Sequence, residues 1–369
     1  MEKSGKTAAI GMSGGVDSSV AAWLLKEAGW RVVGVTMSIW DGTVPLADEG
    51  RAGCYGPGEA RDLAAAAAAA ERIGIEHRVI SLAEEYKRWV LGYFREEYLA
   101  GRTPNPCVRC NQRMKFGLLP AAARAQGLEF DAFATGHYAR TGRDEGTGRR
   151  ELRRGADERK DQSYFLSRLG QEQLGGLVFP LGGMLKEEVK GVARELGWGD
   201  LAEKEESQDF IECKDYGVLF GAEEGRPGEI ATRDGRVVGR HRGIFRYTVG
   251  QRKGLELGGG GTPWYVLEVD AANNRVVVGP REELGSRELW ARDLNWVSAA
   301  ERTEGEMRCR VQIRQRHRAA EATARFDGRG WLRAEFDEAQ LSVTPGQVAV
   351  CYEGDRVLVS GIIDRGPGG

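Results

Sequence analysis

The sequence predicts a doubly wound parallel α/β sheet at the N-terminus followed by two small β-rich barrels. Three observations predict it. The first half alternates β-branched strand-like runs with helical patterns, a Gly/Ser turn separates the first strand from the first helix, and beyond residue 205 helical periodicity gives way to short β-rich runs between glycines. In order, residues 7–12 read as a strand, 18–28 as a helix and 31–35 as a second strand, a βαβ unit. A helix is predicted at 59–73, where seven consecutive alanines occupy 64–70, then a strand at 76–81, an amphipathic helix at 84–99 and a strand at 130–135. Strands separated by helices of this length pair in parallel, with helices on both faces. After a last helix at 186–196 come β runs at 229–232, 236–238, 264–269, 275–278, 306–313 and 347–352. Asn273-Asn274 is a hairpin signal, and 257–261 is a glycine-rich loop. The expected domains are 1–205, 206–281 and 282–369.

The chain of 369 residues is long enough for two or three domains, each with its own core. Its 41% hydrophobic and 29% charged residues exclude wholesale disorder and a disulfide-dense miniature. With 53 Lys+Arg against 55 Asp+Glu, net charge is −2, so a nucleic-acid partner must be met by local basic patches. No signal peptide and no membrane span is read at the N-terminus, which places the protein in the cytoplasm. In that compartment the six cysteines are thiols, ligands or nucleophiles rather than a disulfide framework.

Two motifs carry chemistry. After the first strand stands Gly11-Met12-Ser13-Gly14-Gly15-Val16-Asp17-Ser18, opening a helix. Glycines let backbone N–H groups approach an anion and the helix N-terminus adds positive potential, so a pyrophosphate fits there. The Gly-Lys-Ser/Thr ending of kinase-type loops and the three-glycine dinucleotide spacing are both missing, and a plain serine-capped helix start is the competing reading. The second motif is Thr103-Pro104-Asn105-Pro106-Cys107-Val108-Arg109-Cys110, continued by Arg113 and Lys115. Its cations are expected to depress a thiol pKa, and no second Cys-x-x-Cys or His pair completes a zinc site. Cys213, after Asp209-Phe210-Ile211-Glu212, is the expected third thiol. Three such thiols allow a carrier with a resolving partner, or an iron–sulfur cluster with one open iron. Cys309 and Cys351 sit in apolar strand patterns and are expected in a core; Cys54, in a Gly-rich loop, receives no role.

Ser13-Gly14-Gly15-Val16-Asp17-Ser18 resembles the signature of the PP-loop ATP pyrophosphatases, an adenine nucleotide alpha hydrolase-like fold. With the cysteine block, Ala134–Ala139, 160–166 (Lys-Asp-Gln-Ser-Tyr-Phe-Leu), 247–254 and 343–347, the whole chain resembles the tRNA 2-thiouridylases. The resemblance implies an ATP-dependent sulfurtransferase that adenylates the C2 oxygen of the wobble uridine of tRNA and replaces it by sulfur. It implies ATP with Mg2+ at Gly11, Met12, Ser13, Gly14, Gly15, Val16, Asp17, Ser18, Met37 and Gly136. It places Asn105, Pro106 and Cys107 at the target base, and His137, Lys160, Asp161, Gln162, Arg314, Gln315 and Gln347 against tRNA. Cys110 would be the catalytic cysteine and Cys213 the persulfide carrier, charged by a sulfur donor. Many members carry Asp where Cys107 stands. The resulting Cys107, Cys110, Cys213 pattern also resembles iron–sulfur-dependent tRNA thiolases, where all three would bind a [4Fe-4S] cluster and sulfide would be the donor.

Arg308, Arg310, Arg314, Arg316 and Arg318 share parity and would line one face of a strand, which from the residues alone reads as a solvated face and, given the tRNA resemblance, as a phosphate-tracking stripe. Arg149, Arg150, Arg153, Arg154, Arg159 and Lys160 form a second basic cluster suited to an anticodon arm. A wobble base must leave its stack to reach a buried cysteine, and His137-Tyr138 would stack on it unless Tyr138 is plain core. Two alternatives stay open: another adenylating enzyme with a small-molecule substrate, and a non-catalytic iron–sulfur or RNA-binding protein.

Overall fold

The computed structural model describes residues 5–48, 53–203, 209–221, 224–257, 263–302 and 304–367. The expected boundary at 205/206 and residues 258–261 of the glycine-rich loop lie outside them. The described residues form two compact units, one from Met1–Val90, Cys107–Lys214 and Asp355–Val357, the other from Leu91–Pro106, Asp215–Gly354 and Leu358–Gly369.

The first unit is built on β1 (Thr7–Gly11), β2 (Arg31–Ser38), β3 (Glu76–Ser81), β4 (Ala132–Thr135) and, after an antiparallel hairpin of β5 (Ala139–Arg143) and β6 (Arg150–Arg154), the short β7 (Leu177–Val178). The order β3-β2-β1-β4-β7 is parallel throughout, as expected. Successive strands run outward from β1 in one direction and then restart beside it at β4. Such a switch point opens a crevice at the carboxyl ends of β1 and β4, where an α/β fold takes its ligand. Helix α1 (Val16–Glu27) leaves β1 and buries Val16, Val20, Ala21 and Leu25. Helix α2 (Glu59–Ile73) buries Ala66, Ala69, Ala70 and Ile73, and its alanine face is explained by the loop after β1. A Cβ on Gly14 would stand 2.6 Å from the Ala65 side chain and 2.7 Å from the Ala66 backbone, so small residues on both sides let loop and helix touch. The expected helix at 84–99 is interrupted by a π-helical stretch at Lys87–Gly92.

In the second unit, β8 (Gly228–Ala231), β9 (Val237–His241), β10 (Tyr265–Asp270) and β11 (Arg275–Gly279) form a sheet in the order β10-β11-β8-β9 around Ile230, Val266, Val276 and Val278. Strands β12 (Gly285–Trp296), β13 (Glu304–Gln312), β14 (Ala320–Asp327), β15 (Leu332–Leu341), β16 (Val348–Glu353) and β17 (Arg356–Asp364) close into a barrel through pairing of β12 with β17. Cys309 and Cys351 are in its core, 4% and 0% exposed. The arginine stripe does not exist as a strand face: β13 ends at Gln312, which leaves Arg314, Arg316 and Arg318 in the turn beyond it.

Candidate active site

The loop after β1 is shaped for an anion. Gly14 has φ of 69°, the left-handed region that glycine enters without Cβ strain. The N-cap of α1 is Gly15, with no side chain capping the helix, so the serine-capped reading fails and the helix end keeps its positive potential. Ser18 Oγ instead accepts from the Ser13 N–H (3.2 Å) and donates to the Gly15 carbonyl (3.2 Å), which fixes the loop from within. A Cβ on Gly136, just beyond β4, would lie 2.7 Å from the Asp17 carbonyl carbon and the Ser18 nitrogen. Residue 136 must therefore be glycine for the two loops to meet at the switch point. Met37, near the end of β2, is half-buried and pairs in register with Ile80.

Asp17 is the acid of this loop, and its partner was not legible in the sequence. Lys186 Nζ donates to both Asp17 carboxylate oxygens at 2.7 Å, and Tyr138 Oη donates to one of them at 2.7 Å. The Lys186 side chain is 8% exposed and its ammonium also lies 5.8 Å from the centre of the Tyr138 ring. Tyr138, 2% exposed, is thus core and does not stack on a base.

The second half of the site is a group of thiols. The short helix Pro106–Cys110 holds Cys107 half-exposed and Cys110 buried. Cys54, given no role from sequence, lies within electrostatic reach of both, and all three surround Lys115. Burial pushes Cys107 and Cys110 up to about 12, and Lys115 only partly offsets it. The expected depression of these thiol pKa values is therefore corrected: Arg109 and Arg113 turn to the Trp89 ring instead, at 5.4 and 5.1 Å from its centre. Burial works against the Lys115 charge, yet Cys110, Cys54 and Cys107 raise its pKa above the ordinary lysine value. Cys54 is reachable from solvent, while the protein around it withholds enough water to raise its pKa as well. Cys213 rides on a segment zipped to the Cys54 loop: Cys54 N–H donates to the Asp209 carbonyl (3.1 Å), Tyr55 N–H to Phe210 (3.1 Å) and Glu212 N–H to Tyr55 (2.9 Å). Among the described residues no three His, Cys, Asp or Glu side chains converge on a metal-sized point. Nothing in this arrangement shows the [4Fe-4S] cluster expected on Cys107, Cys110 and Cys213.

Three consecutive residues join the two halves. Gly136 packs on the Asp17-Ser18 backbone, His137 lies 5.5 Å from Phe116, ring centre to ring centre, and feels the charge of Lys115, and Tyr138 reaches Asp17. Burial first and Lys115 second hold His137 down at about 3, so it is neutral, with Nδ1 2.8 Å from Thr135 Oγ1.

Of the expected tRNA residues, Asp161 is consumed internally by Arg154 (2.7 Å), the Gly155 N–H and Ser163. Gln162 accepts from the Tyr138 N–H (2.9 Å), and the Lys160 N–H donates to the Asp157 carbonyl. In the basic cluster Arg153 and Arg154 are spent on Glu151, Asp355 and Asp161, which weakens it as a grip on RNA. In the second unit Gln347 donates to the Thr103 and Pro104 carbonyls (3.0 and 3.1 Å) and so braces the segment that leads to Asn105 and Pro106. Arg314 donates to the Leu341 carbonyl, the Gln315 carbonyl accepts from Gln312, and Arg308 is paired with Asp337 and Glu321.

A parallel sheet with an uncapped Gly/Ser loop at its switch point, ahead of two β domains, defines a nucleotide-binding enzyme of the HUP class. Family profiles agree: a tRNA methyl transferase HUP domain matches residues 6–213, a tRNA methyl transferase PRC-barrel domain 220–280 and an aminomethyltransferase β-barrel domain 286–363. The chain is 46% identical over 370 residues to the tRNA-specific 2-thiouridylase MnmA of Geobacter metallireducens, covering 98% of both chains. It is 46% identical to that of Geotalea uraniireducens (98% of this chain, 95% of the relative) and 44% identical to that of Endomicrobium trichonymphae (96% and 98%). The chain belongs to the tRNA-specific 2-thiouridylase family. No helix among the described residues is long and apolar enough to cross a membrane.

Proposed function

We propose that this chain thiolates C2 of the wobble uridine of tRNA at the expense of ATP, in the cytoplasm. The observation that carries the reading is the Gly136-His137-Tyr138 bridge, because it sets an anion loop and a thiol group in one compact unit. A methyl transfer, which the family profiles' descriptions would suggest, needs neither.

ATP enters as its magnesium complex, with its phosphates at the α1 N-terminus. Asp17 is the carboxylate at this loop that would meet such a magnesium ion, which would supply charge neutralisation at the phosphates. The C2 oxygen of uridine attacks the α-phosphate, pyrophosphate leaves, and C2 becomes electrophilic. A persulfide on Cys213, charged by an external sulfur donor, supplies the sulfur that attacks C2, and AMP departs. The Cys110 thiolate then attacks the carrier-side sulfur, which releases 2-thiouridine and leaves a Cys110–Cys213 disulfide for a dithiol reductant. Lys115 is the counter-charge as these buried sulfurs become anionic, which water cannot stabilise there. Neutral His137 packs on the Phe116 ring between the two halves.

The test is in vitro thiolation of unmodified tRNA with ATP and a persulfide donor, read as 2-thiouridine by mass spectrometry and as AMP. Cys110→Ser should abolish 2-thiouridine, whereas full retained activity would refute the assignment. Asp17→Asn should abolish AMP formation as well, which excludes a non-catalytic protein with an inert loop. Salt-sensitive tRNA binding by the wild type excludes a small-molecule substrate.

A further inference from the structure

Beside the cysteine helix lies an open cleft of about 440 Å³ that the chemistry above does not use. Its lining includes Trp89, Gln112, Arg113, Gly117, Glu172 and Gln173. Three guanidinium groups crowd the Trp89 indole: Arg113, which lines the cleft, and Arg88 and Arg109, which stand outside its lining, lie 5.1, 4.9 and 5.4 Å from the ring centre. Arg109 Nε also donates to the Trp89 carbonyl (3.4 Å), which anchors the helix to the ring. Arg88 and Arg113 are exposed, and neither forms an ion pair among the described residues. Like charges gathered on one ring repel, and the ring quadrupole offsets only part of that cost. The arrangement is complementary to an anion. One carboxylate, Glu172, lines the cleft; it is exposed and forms no ion pair among the described residues.

The remaining wall is suited to a base. Gln173 Nε2 donates to the Gln112 and Phe116 carbonyls (both 3.0 Å), so the backbone of the wall is fixed. The Gln112 side-chain amide makes no hydrogen bond among the described residues and offers both donors and an acceptor to a base edge. The volume falls in the usual ligand-pocket range of about 300–1,000 Å³. Cys110 and Arg113 are three residues apart in continuous helix, so the cleft lining begins within about one helical turn of Cys110 along the chain.

We propose that this cleft binds a second nucleotide of the substrate tRNA, one flanking the uridine presented to the cysteines, with its phosphate at Arg88 and Arg113 and its base between Trp89 and Gln112. The proposal rests on the tRNA reading and adds a site to it. An acidic face of a sulfur-donor protein would also be drawn to the arginines but would not need the pocket or the free amide.

The probe is the unmodified anticodon stem-loop RNA, with binding measured by anisotropy across a salt series and thiolation of full-length tRNA measured in parallel. Arg88→Ala with Arg113→Ala should weaken binding about tenfold or more near 0.15 M salt and lower the salt slope by about 1–2. KM for tRNA should rise in step while kcat at saturating tRNA and KM for ATP hold, and Gln112→Ala should weaken binding with the slope unchanged. Unaltered melting of each variant certifies the fold. Wild type that binds RNA while the variants bind with the same affinity and slope overturns the proposal. So does a defect seen only when the donor is a protein rather than a small persulfide. Wild type that neither binds nor thiolates tRNA would strike the parent reading instead.

Discussion

Lys186→Met should be the most informative single change in the nucleotide half of the site. In the native protein the Asp17 carboxylate accepts from Lys186 Nζ on both oxygens and from Tyr138 Oη, all at 2.7 Å. Methionine keeps the stem of a side chain that is 8% exposed and removes the charge, which leaves Asp17 with the phenol alone. Breaking a buried ion pair by removing one partner costs about 3–5 kcal/mol. Asp17 retains 26% of its side-chain exposure, so water recovers part of that, and the expected loss is about 2–3 kcal/mol. For a domain of this size that lowers Tm by roughly 4–12 °C. The uncompensated carboxylate also faces the phosphate loop, so ATP binding should weaken more than tenfold. Combining it with Asp17→Asn removes both charges and should restore much of the stability, with a coupling near ~2 kcal/mol in a double-mutant cycle. Calorimetry and ATP titration on the four proteins measure it. A single variant melting within about 1 °C of wild type, with coupling under ~0.5 kcal/mol, would refute the claim that this pair holds the loop.

Gly136→Ala should cut ATP turnover at least about tenfold, because its Cβ would meet the Asp17-Ser18 backbone at 2.7 Å and one of the two loops must yield; unchanged KM for ATP would count against it. Cys110→Ser should lower 2-thiouridine formation below ~1% while pyrophosphate release persists, as expected when only the sulfur step is lost. The pH dependence of stability has two arms, each checked by melting across pH. His137 is held at about 3 against 6.5, so its contribution is present above 6.5 and lost as pH falls toward 3. Cys107 and Cys110 are held at about 12 against 9.0, so theirs is present below 9 and lost as pH rises toward 12. Glu212→Ala should release the Cys213 segment, since Glu212 Oε2 accepts the Gly58 N–H at 2.9 Å in a buried setting; faster alkylation of Cys213 than in wild type is the expected result.

What local periodicity could convey, it conveyed. The helix at Glu59–Ile73 and the strand at Glu76–Ser81 form at the expected residues because each pattern is written in consecutive side chains. The hairpin of β5 and β6 was hidden by its arginines, which read as a basic patch although Leu152 and Glu151 are 0% and 3% exposed. In β14 the buried positions are Ala322, Ala324 and Phe326, so the alternation is written mostly in alanine, a weak strand former. The Lys186 role was invisible for another reason: it begins a helix 169 residues from its partner, and nothing near it in sequence records Asp17.

The same holds for Cys54, although here the sequence does carry a signal. Cys54 sits in Gly53-Cys54-Tyr55-Gly56-Pro57-Gly58, and glycine spacing alone says only that backbone comes close to something. The structure says to what. A Cβ on Gly53, Gly56 or Gly58 would stand 2.8, 2.6 or 2.3 Å from the nearest atom of Glu212, one residue before Cys213. Three glycines therefore press the Cys54 loop onto the Cys213 segment, and Tyr86, stacked on Tyr55 at 5.3 Å and donating to the Phe210 carbonyl, backs the contact. Holding two chain-distant thiol segments in register constrains both against the entropy of a free loop. Such a constraint is what the proposed relay of sulfur between cysteines would need, because transfer between thiols requires in-line approach of the attacking sulfur. The glycines that looked like an unassigned loop are thus what positions the Cys54 loop against the Cys213 segment.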